Sequence, residues 1–285
     1  MIPRVTRRGW LPWLLVTPPA AFMLAFFVLP SAALLSASLM EYDGSLPTGA
    51  WTLENFELLL TRPLYQRAIL RTFVVGATVG VLVVALSYPL AYFLVRTTSP
   101  WRNWLIALSL APLLASVIVR TYGWWVMLNR EGAINTMLLS VGAIDKPLVM
   151  LPSTFAIVVG LTHALMPYGV LTIMASLNGL NPNLERAAMS LGASRTRTFL
   201  AITLPLTAPG IVGGFLLAFA IAISAYATPA ILGGPATEVM ATMIRNFMIQ
   251  TLDWGPGAAM GAILIVSAVV LLALTSWIGE RGGRA

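Results

Sequence analysis

The chain has 285 residues, of which 58% are hydrophobic and 9% are charged, and its mean hydropathy is +0.86. A soluble domain carries about 25% charged residues, so this composition excludes a water-soluble globular protein and indicates a polytopic membrane protein. The net charge of +7 arises without a long basic run, so we attribute it to membrane topology rather than to nucleic-acid binding.

Six apolar stretches, taken in chain order, are long enough to cross a hydrocarbon core of about 30 Å. They lie at about residues 11–39, 73–95, 104–128, 154–177, 206–232 and 258–279. The first is interrupted by Pro18, Pro19 and Pro30, and it is too long and too rich in proline for a signal peptide. The sequence therefore predicts an all-α fold, a polytopic inner-membrane bundle of about six transmembrane helices.

We expect one transmembrane domain over residues 1–285. Residues 1–50 would hold the N-terminal span and the start of the first outer loop, and residues 51–285 would form the core. Residues 51–73 are typical of an amphipathic helix that leads into the second span. Residues 129–150 and 233–257 each hold a short apolar stretch between turn signals, which is typical of interfacial or re-entrant helices.

Lysine and arginine placement predicts the orientation of the bundle. One set of loops holds ten basic residues and only Glu185 and Glu280 as acids; the basic residues are Arg4, Arg7, Arg8, Arg96, Arg102, Arg186, Arg195, Arg197, Arg281 and Arg284. The other set holds six basic residues: Arg62, Arg67, Arg71, Arg130, Lys146 and Arg245. The positive-inside rule then places both termini in the cytoplasm, with a cytoplasmic loop between the fourth and fifth spans.

That loop has the pattern of two short helices. Asn181 and Pro182 form a favourable helix start, since Asn caps and Pro suits the first helical position. Glu185 falls in the first turns, where its charge suits the helix dipole. Gly192 comes where the helix would end, and Ser194 can cap a second short helix. An interfacial helix lying on the bilayer fits this pattern as well.

The stretch "LERAAMSLGASRTRTFLAITLP" at residues 184–205 also fits the motif A-A-x-x-x-G-x9-I-x-L-P, at Ala187, Ala188, Gly192, Ile202, Leu204 and Pro205. It resembles the EAA loop of the type I permease subunits of binding-protein-dependent ABC importers. The resemblance implies that residues 178–205, with Ala193 among them, form coupling helices docked in a cleft of an ATPase subunit. One position departs from the motif, because Arg186 stands where the family usually has glutamate, and Glu185 precedes it.

Further segments resemble the permeases of spermidine/putrescine importers: "NFELLLTRPLYQRAILRT" from residue 55, "VIVRTYGWWVMLNREGAINTMLL" from residue 117 and "ISAYATPAILGGP" from residue 223. The resemblance implies a permease for a small polar solute, a polyamine in the first instance, delivered by a periplasmic binding protein. It also implies a second, similar permease subunit and two copies of the ATPase subunit, besides contact with membrane lipid. No nucleic-acid partner is implied.

Several functions are disfavoured by missing residue types. There is no Cys, and His163 and Lys146 are single residues of their kinds, so a disulfide is excluded and a Cys/His zinc site almost so. Lys146 precedes Pro147, and no G-x-x-x-x-G-K-[ST] phosphate loop exists. We expect no cofactor in this chain and no enzymatic activity of its own, with ATP and Mg²⁺ bound by the partner ATPase.

Seven residues are candidates for the solute path: Arg120, Tyr122, Trp124, Trp125, His163, Tyr168 and Tyr226. Arg120 and His163 are ionisable residues within spans, where charge is often functional, although Arg120 could also reach outward or pair with Glu131. The aromatic residues at 122, 124 and 125 suit either cation–π contact with a polyamine or an interfacial belt. Tyr168 follows Pro167 and Tyr226 precedes Pro229; both prolines disturb helices, so these tyrosines could face the path. The outer acids Glu131, Glu238 and Asp253 could steer a cation.

Two other functions stay open on sequence alone. An ion-coupled secondary transporter is the main alternative, although proton-coupled types usually place Asp or Glu within the spans, and every acid here falls in a loop or terminus. A membrane enzyme is the second, but a lone His and no intramembrane acid pair leave little for catalysis.

Overall fold

The computed structural model describes residues 11–43 and 46–282, so four arginines of the orientation argument, Arg4, Arg7, Arg8 and Arg284, lie outside the described residues. The described chain is mostly helical, as predicted, with an antiparallel hairpin that the sequence did not predict. Its strands are β1 (Met40–Asp43) and β2 (Leu46–Trp51). The chain groups into two compact units, residues up to 61 with 244–263 and residues 62–243 with those from 264, and each is described by itself.

The first unit holds the N-terminal helices, the hairpin and part of the chain near residue 250. Its elements are α1 (Leu11–Met23), a π-helical turn (Leu24–Val28), α2 (Leu29–Ala37), the two strands, α3 (Glu54–Thr61), a π-helical turn (Asn246–Thr251) and the first turns of α15 (Trp254–Gly282). Asn55 Nδ2 donates to the carbonyls of Ser38 at 3.2 Å and Met40 at 2.9 Å. These bonds fix the start of α3 against the chain that links α2 to the hairpin.

Besides the part of α15 from residue 264, the second unit holds most of the helices. They are α4 (Pro63–Arg96), α5 (Arg102–Leu110) with a 3₁₀ turn (Ala111–Leu113), α6 (Val117–Leu128), α7 (Ala133–Ser140), α8 (Thr154–Gly179), α9 (Pro182–Ser190), α10 (Arg195–Thr198), a π-helical turn (Phe199–Thr203), α11 (Leu204–Leu206), α12 (Ala208–Ser224), α13 (Ala227–Leu232), a 3₁₀ turn (Pro235–Thr237) and the start of α14 (Met240–Arg245).

Helices α4, α8 and α12 form the packed centre of this unit, and glycines stand where they approach one another. A Cβ added at Gly169 of α8 would lie 2.7 Å from Ser87 Oγ and Val83 Cγ1 of α4. A Cβ at Gly214 of α12 would lie 2.7 Å from Thr172 Oγ1 of α8. Small residues at such crossings let helix backbones come close, which is the usual source of helix association in a bilayer.

Within the described residues, four helical segments are long and apolar enough to cross a membrane: Leu14–Ala37, α4, α8 and Trp254–Leu271. Two bent helix pairs raise the number to six if each pair is counted as one span: residues 102–113 with 117–140 at 94°, and residues 195–206 with 208–224 at 58°. The unbroken third span predicted at 104–128 is therefore wrong. Pro112, which lacks a donor N–H, and the extended Ser116 bound the break.

Other predicted boundaries also change. The fifth span, predicted to residue 232, ends at Ser224, since Ala225 is extended and α13 is a separate short helix. The amphipathic helix predicted over residues 51–73 is interrupted at the extended Arg62, where α3 has ended and Pro63 begins α4. The short apolar stretches within residues 129–150 and 233–257 fold as α7 and as α14 with its π-helical turn.

Candidate coupling loop and solute cavity

The loop between α8 and α12 forms the two short helices that the sequence predicts, with the expected caps. Asn181 Oδ1 accepts from the Asn183 N–H at 3.0 Å, and Ser194 Oγ accepts from the Arg197 N–H at 3.3 Å. Gly192 ends the first helix with φ +89°, the left-handed conformation that favours glycine. The loop is therefore a defined helix pair, α9 and α10, joined by a sharp turn.

One side of this helix pair presents apolar residues within a basic rim. Leu191 is 89% exposed at the turn, and Leu184 is also exposed. With the exposed Ala187 they fall at i, i+3 and i+7, on one face of the helix. The arginines at 186, 195 and 197 are exposed as well. We call Leu184, Ala187 and Leu191 with these three arginines the docking surface. Exposed apolar residues grouped in this way make this face a candidate interaction site.

The other side of the helix pair is fastened to α4, and Glu185 makes the connection. Glu185 Oε1 lies 2.6 Å from Arg96 Nη2 in an ion pair whose side chains are 14% and 30% exposed, respectively. The same oxygen accepts from Thr203 Oγ1 at 2.6 Å. The carboxylate of Glu185 is thus occupied within the chain, while Arg186 faces outward.

The remaining motif residues lie along the arm that returns to α12. Ala188, Ala193, Ile202 and Leu204 are half-buried, and Pro205 is exposed. Phe199 lies edge-on to Tyr88 and Tyr92 of α4, with ring centroids 5.8 and 5.5 Å apart. Sequence analysis missed Arg96, Thr203 and the α4 tyrosines, because no local pattern relates α4 to a loop some ninety positions later.

A cavity of about 470 Å³ opens among α6, α8, α12 and α13, and three of the seven path candidates line it: Arg120, Tyr168 and Tyr226. Ser224 and Thr228 add hydroxyl groups to the wall. None of the described residues that line the cavity is acidic.

Arg120 is held at the break in the third span. Its Nη1 donates to the carbonyl of Pro112, across the turn that separates α5 from α6, rather than to Glu131. Within the described part of the chain, Arg120 Nε is buried without a hydrogen-bond partner. The guanidinium therefore retains donor capacity at the cavity wall.

The other four path candidates do not line the cavity. Trp124 Nε1 donates to His163 Nδ1 at 3.2 Å, and the two rings meet at 73°. Tyr122 lies against Trp125 with ring centroids 5.4 Å apart. The three aromatic residues of α6 thus pair with neighbours and form no box at this cavity. Over residues 11–43 and 46–282, no three His, Asp or Glu side chains converge to hold a metal ion.

Comparison with known proteins gives a consistent result. Residues 146–282 match the family described as "Binding-protein-dependent transport system inner membrane component". The spermidine/putrescine transport system permease protein PotB of Escherichia coli K12 is 30% identical over 261 residues, covering 91% of this chain and 94% of that protein. PotB of Haemophilus influenzae is 27% identical over 265 residues, 93% and 91% of the two chains.

Solved structures share the fold. A chain of the bacterial alginate ABC transporter, in complex with an alginate pentasaccharide-bound periplasmic protein, matches with a TM-score of 0.79 at 19% identity, over 95% of this chain and 94% of that one. The MetNI methionine ABC transporter in an inward-facing conformation matches with a TM-score of 0.59 at 14% identity, over 80% and 98% of the chains.

Proposed function

The chain belongs to the family of binding-protein-dependent transport system inner membrane components, and as such it is a multi-pass inner-membrane permease subunit of an importer; we propose that a separate ATPase subunit drives it through the docking surface. Two ATPase copies, a second similar permease and a periplasmic binding protein would complete the transporter. ATP and Mg²⁺ would be bound by the ATPase copies.

The exposed docking surface carries this proposal. Leu191 stands almost fully exposed on a helix pair whose opposite side is bonded to the bundle. A side chain held in that way suits a pocket on a partner. The arginines around it would complement a partner whose cleft carries carboxylates at its rim, since charge complementarity sets orientation and excludes wrong partners.

We expect this loop to face the cytoplasm. Of the ten basic residues that the orientation argument assigns to the cytoplasmic loops, six lie in the described chain: Arg96, Arg102, Arg186, Arg195, Arg197 and Arg281. The positive-inside rule places them on one side, together with both termini. Closure of an ATPase dimer would then move α9 and α10, and the spans would switch between inward- and outward-facing arrangements as packed bodies.

For the solute we propose a polyamine of the spermidine/putrescine kind, because the PotB relatives carry that name. Tyr168 and Tyr226 would meet its cationic groups in the cavity through their ring faces. An anionic solute is the second candidate, since Arg120 lies on the cavity wall and no described lining residue is acidic.

Competition for uptake into proteoliposomes that hold the assembled transporter distinguishes the two candidate solutes. Spermidine and putrescine should compete with each other for uptake, while a small dicarboxylate should not. If the dicarboxylate competes instead, and Arg120→Gln abolishes that competition whereas Arg120→Lys retains it, the anionic solute replaces the polyamine.

An alanine on the docking surface tests the link to the ATPase. Ala187→Glu should lower co-purification of the ATPase and ATP-driven uptake by about tenfold or more, because it places an unpaired acid in a closely packed interface. Ala143→Glu, at an exposed alanine after α7, is the matched control and should behave as wild type. Wild-type association and uptake in Ala187→Glu would refute the assignment.

A further inference from the structure

Glu185 is the centre of a bonded network that joins three separate parts of the second unit. It receives Arg96 from the last turn of α4 and Thr203 from the returning arm, each at 2.6 Å. Because both donors reach the same carboxylate oxygen, and the carboxylate is mostly buried, these are charge-assisted bonds shielded from water. Removing the charge would loosen both at once.

A second set of contacts runs parallel to the first, two turns back along α4. Tyr88 Oη lies 3.0 Å from Thr207 Oγ1, and Thr207 Oγ1 in turn lies 2.8 Å from the Thr203 carbonyl. Arg96 and Tyr88 on α4 therefore face Thr203 and Thr207 on the arm, and Phe199 packs against the rings of Tyr88 and Tyr92 between them.

The network lies on one side of the bend between the arm and α12, and this position determines which helices it holds together. The arm at residues 195–206 meets α12 at an angle of 58°, and the bonds to α4 lie on the arm and at Thr207. The network thus joins α9, the arm and the end of α4, whereas α12 begins beyond the bend.

We propose that Glu185 is a positioning residue that joins the coupling helices to α4, so that α9, the arm and the last turns of α4 move as one body. Displacement of the docking surface then passes into α4 through the Arg96–Glu185–Thr203 bonds, beside the covalent paths through α8 and α12. The inference rests on the proposed function, and it assigns to Glu185 a role inside the chain rather than at the ATPase.

The test measures solute transported per ATP hydrolysed in the reconstituted transporter, with ATPase co-purification measured in parallel. Glu185→Gln should leave co-purification intact, because the docking surface is unchanged, and should lower the transport-to-hydrolysis ratio by about fivefold or more. The single variant Arg96→Glu should lower the ratio further, since it opposes two carboxylates. The exchanged pair Arg96→Glu with Glu185→Arg should recover most of the ratio.

Each result decides the inference. A wild-type ratio in Glu185→Gln overturns it, and so does a loss that the exchanged pair does not repair, because packing alone would then explain the loss. If the exchanged pair does not assemble, the transport-to-hydrolysis ratio is measured in Arg96→Gln and Thr203→Val instead. A lowered ratio supports the proposal, and wild-type ratios in both variants overturn it. Failure of the unaltered chain to retain any ATPase would refute the proposed function instead.

Discussion

Among single residues, Gly192 is the position in the coupling loop where the backbone alone restricts the side chain. Its φ is +89°, and a Cβ would meet nothing within 4 Å. We predict that Gly192→Val costs about 1–2 kcal/mol at the turn and lowers ATP-driven uptake, whereas Gly192→Asn, which tolerates this conformation, is milder. Uptake in proteoliposomes measures the effect.

Gly142 provides the matched control. It has φ +69° and equally open space, but it follows α7 and lies outside the docking surface. Gly142→Val should lower thermal stability by a similar amount and leave transport per ATP unchanged. Equal uncoupling by both variants would mean that strain anywhere in the chain, rather than the shape of the coupling turn, limits transport.

Residue by residue, local chemistry was predictable and distant pairing was not. The caps at Asn181 and Ser194 and the turn at Gly192 follow from signals within a few positions, and the structure has them. The Arg96–Glu185 pair spans 89 positions, and the sequence alone gives no reason to join these two residues among the other charges. Likewise, which candidates share a cavity depends on how the helices pack.

Between elements, close helix packing at glycines is the feature most sensitive to added volume. We predict that Gly169→Val destabilises the protein by about 1–3 kcal/mol, because the new methyl groups would overlap Ser87 and Val83 on α4. Thermal unfolding in detergent measures this as a lowered Tm.

Gly213→Val is its control on the same group of helices, since a Cβ at Gly213 meets nothing within 4 Å. It should leave the Tm close to that of wild type. A Tm loss as large in Gly213→Val as in Gly169→Val would contradict the close α4–α8 approach, and would point to helix propensity as the common cause.

The existence of the spans was predictable from hydropathy, but their bends were not. Apolar runs predict that a helix crosses the bilayer, and proline suggests where it can break. They do not distinguish Pro89, which stays inside the continuous helix α4, from Pro112, beside a 94° bend. That difference depends on which neighbours pair with the freed backbone groups, and at the bend the Arg120 guanidinium donates to the Pro112 carbonyl.

For the molecule as a whole, orientation in the membrane is a prediction that a chain without cysteine makes easy to test. We expect Val141→Cys, at an exposed position after α7, to react with a membrane-impermeant maleimide in intact spheroplasts. Leu191→Cys should react only after permeabilisation. Labelling of Leu191→Cys in intact spheroplasts would reverse the topology and remove the coupling role.

The most direct measurement for the central claim is thiol cross-linking of the Leu191→Cys chain to its ATPase in inner membranes, with Val141→Cys as the reference. The predicted result is a covalent adduct between the two subunits that forms at Leu191→Cys and changes in yield when ATP is bound, with none at Val141→Cys. An adduct absent at Leu191→Cys, in membranes that still carry out ATP-driven uptake, would contradict the account.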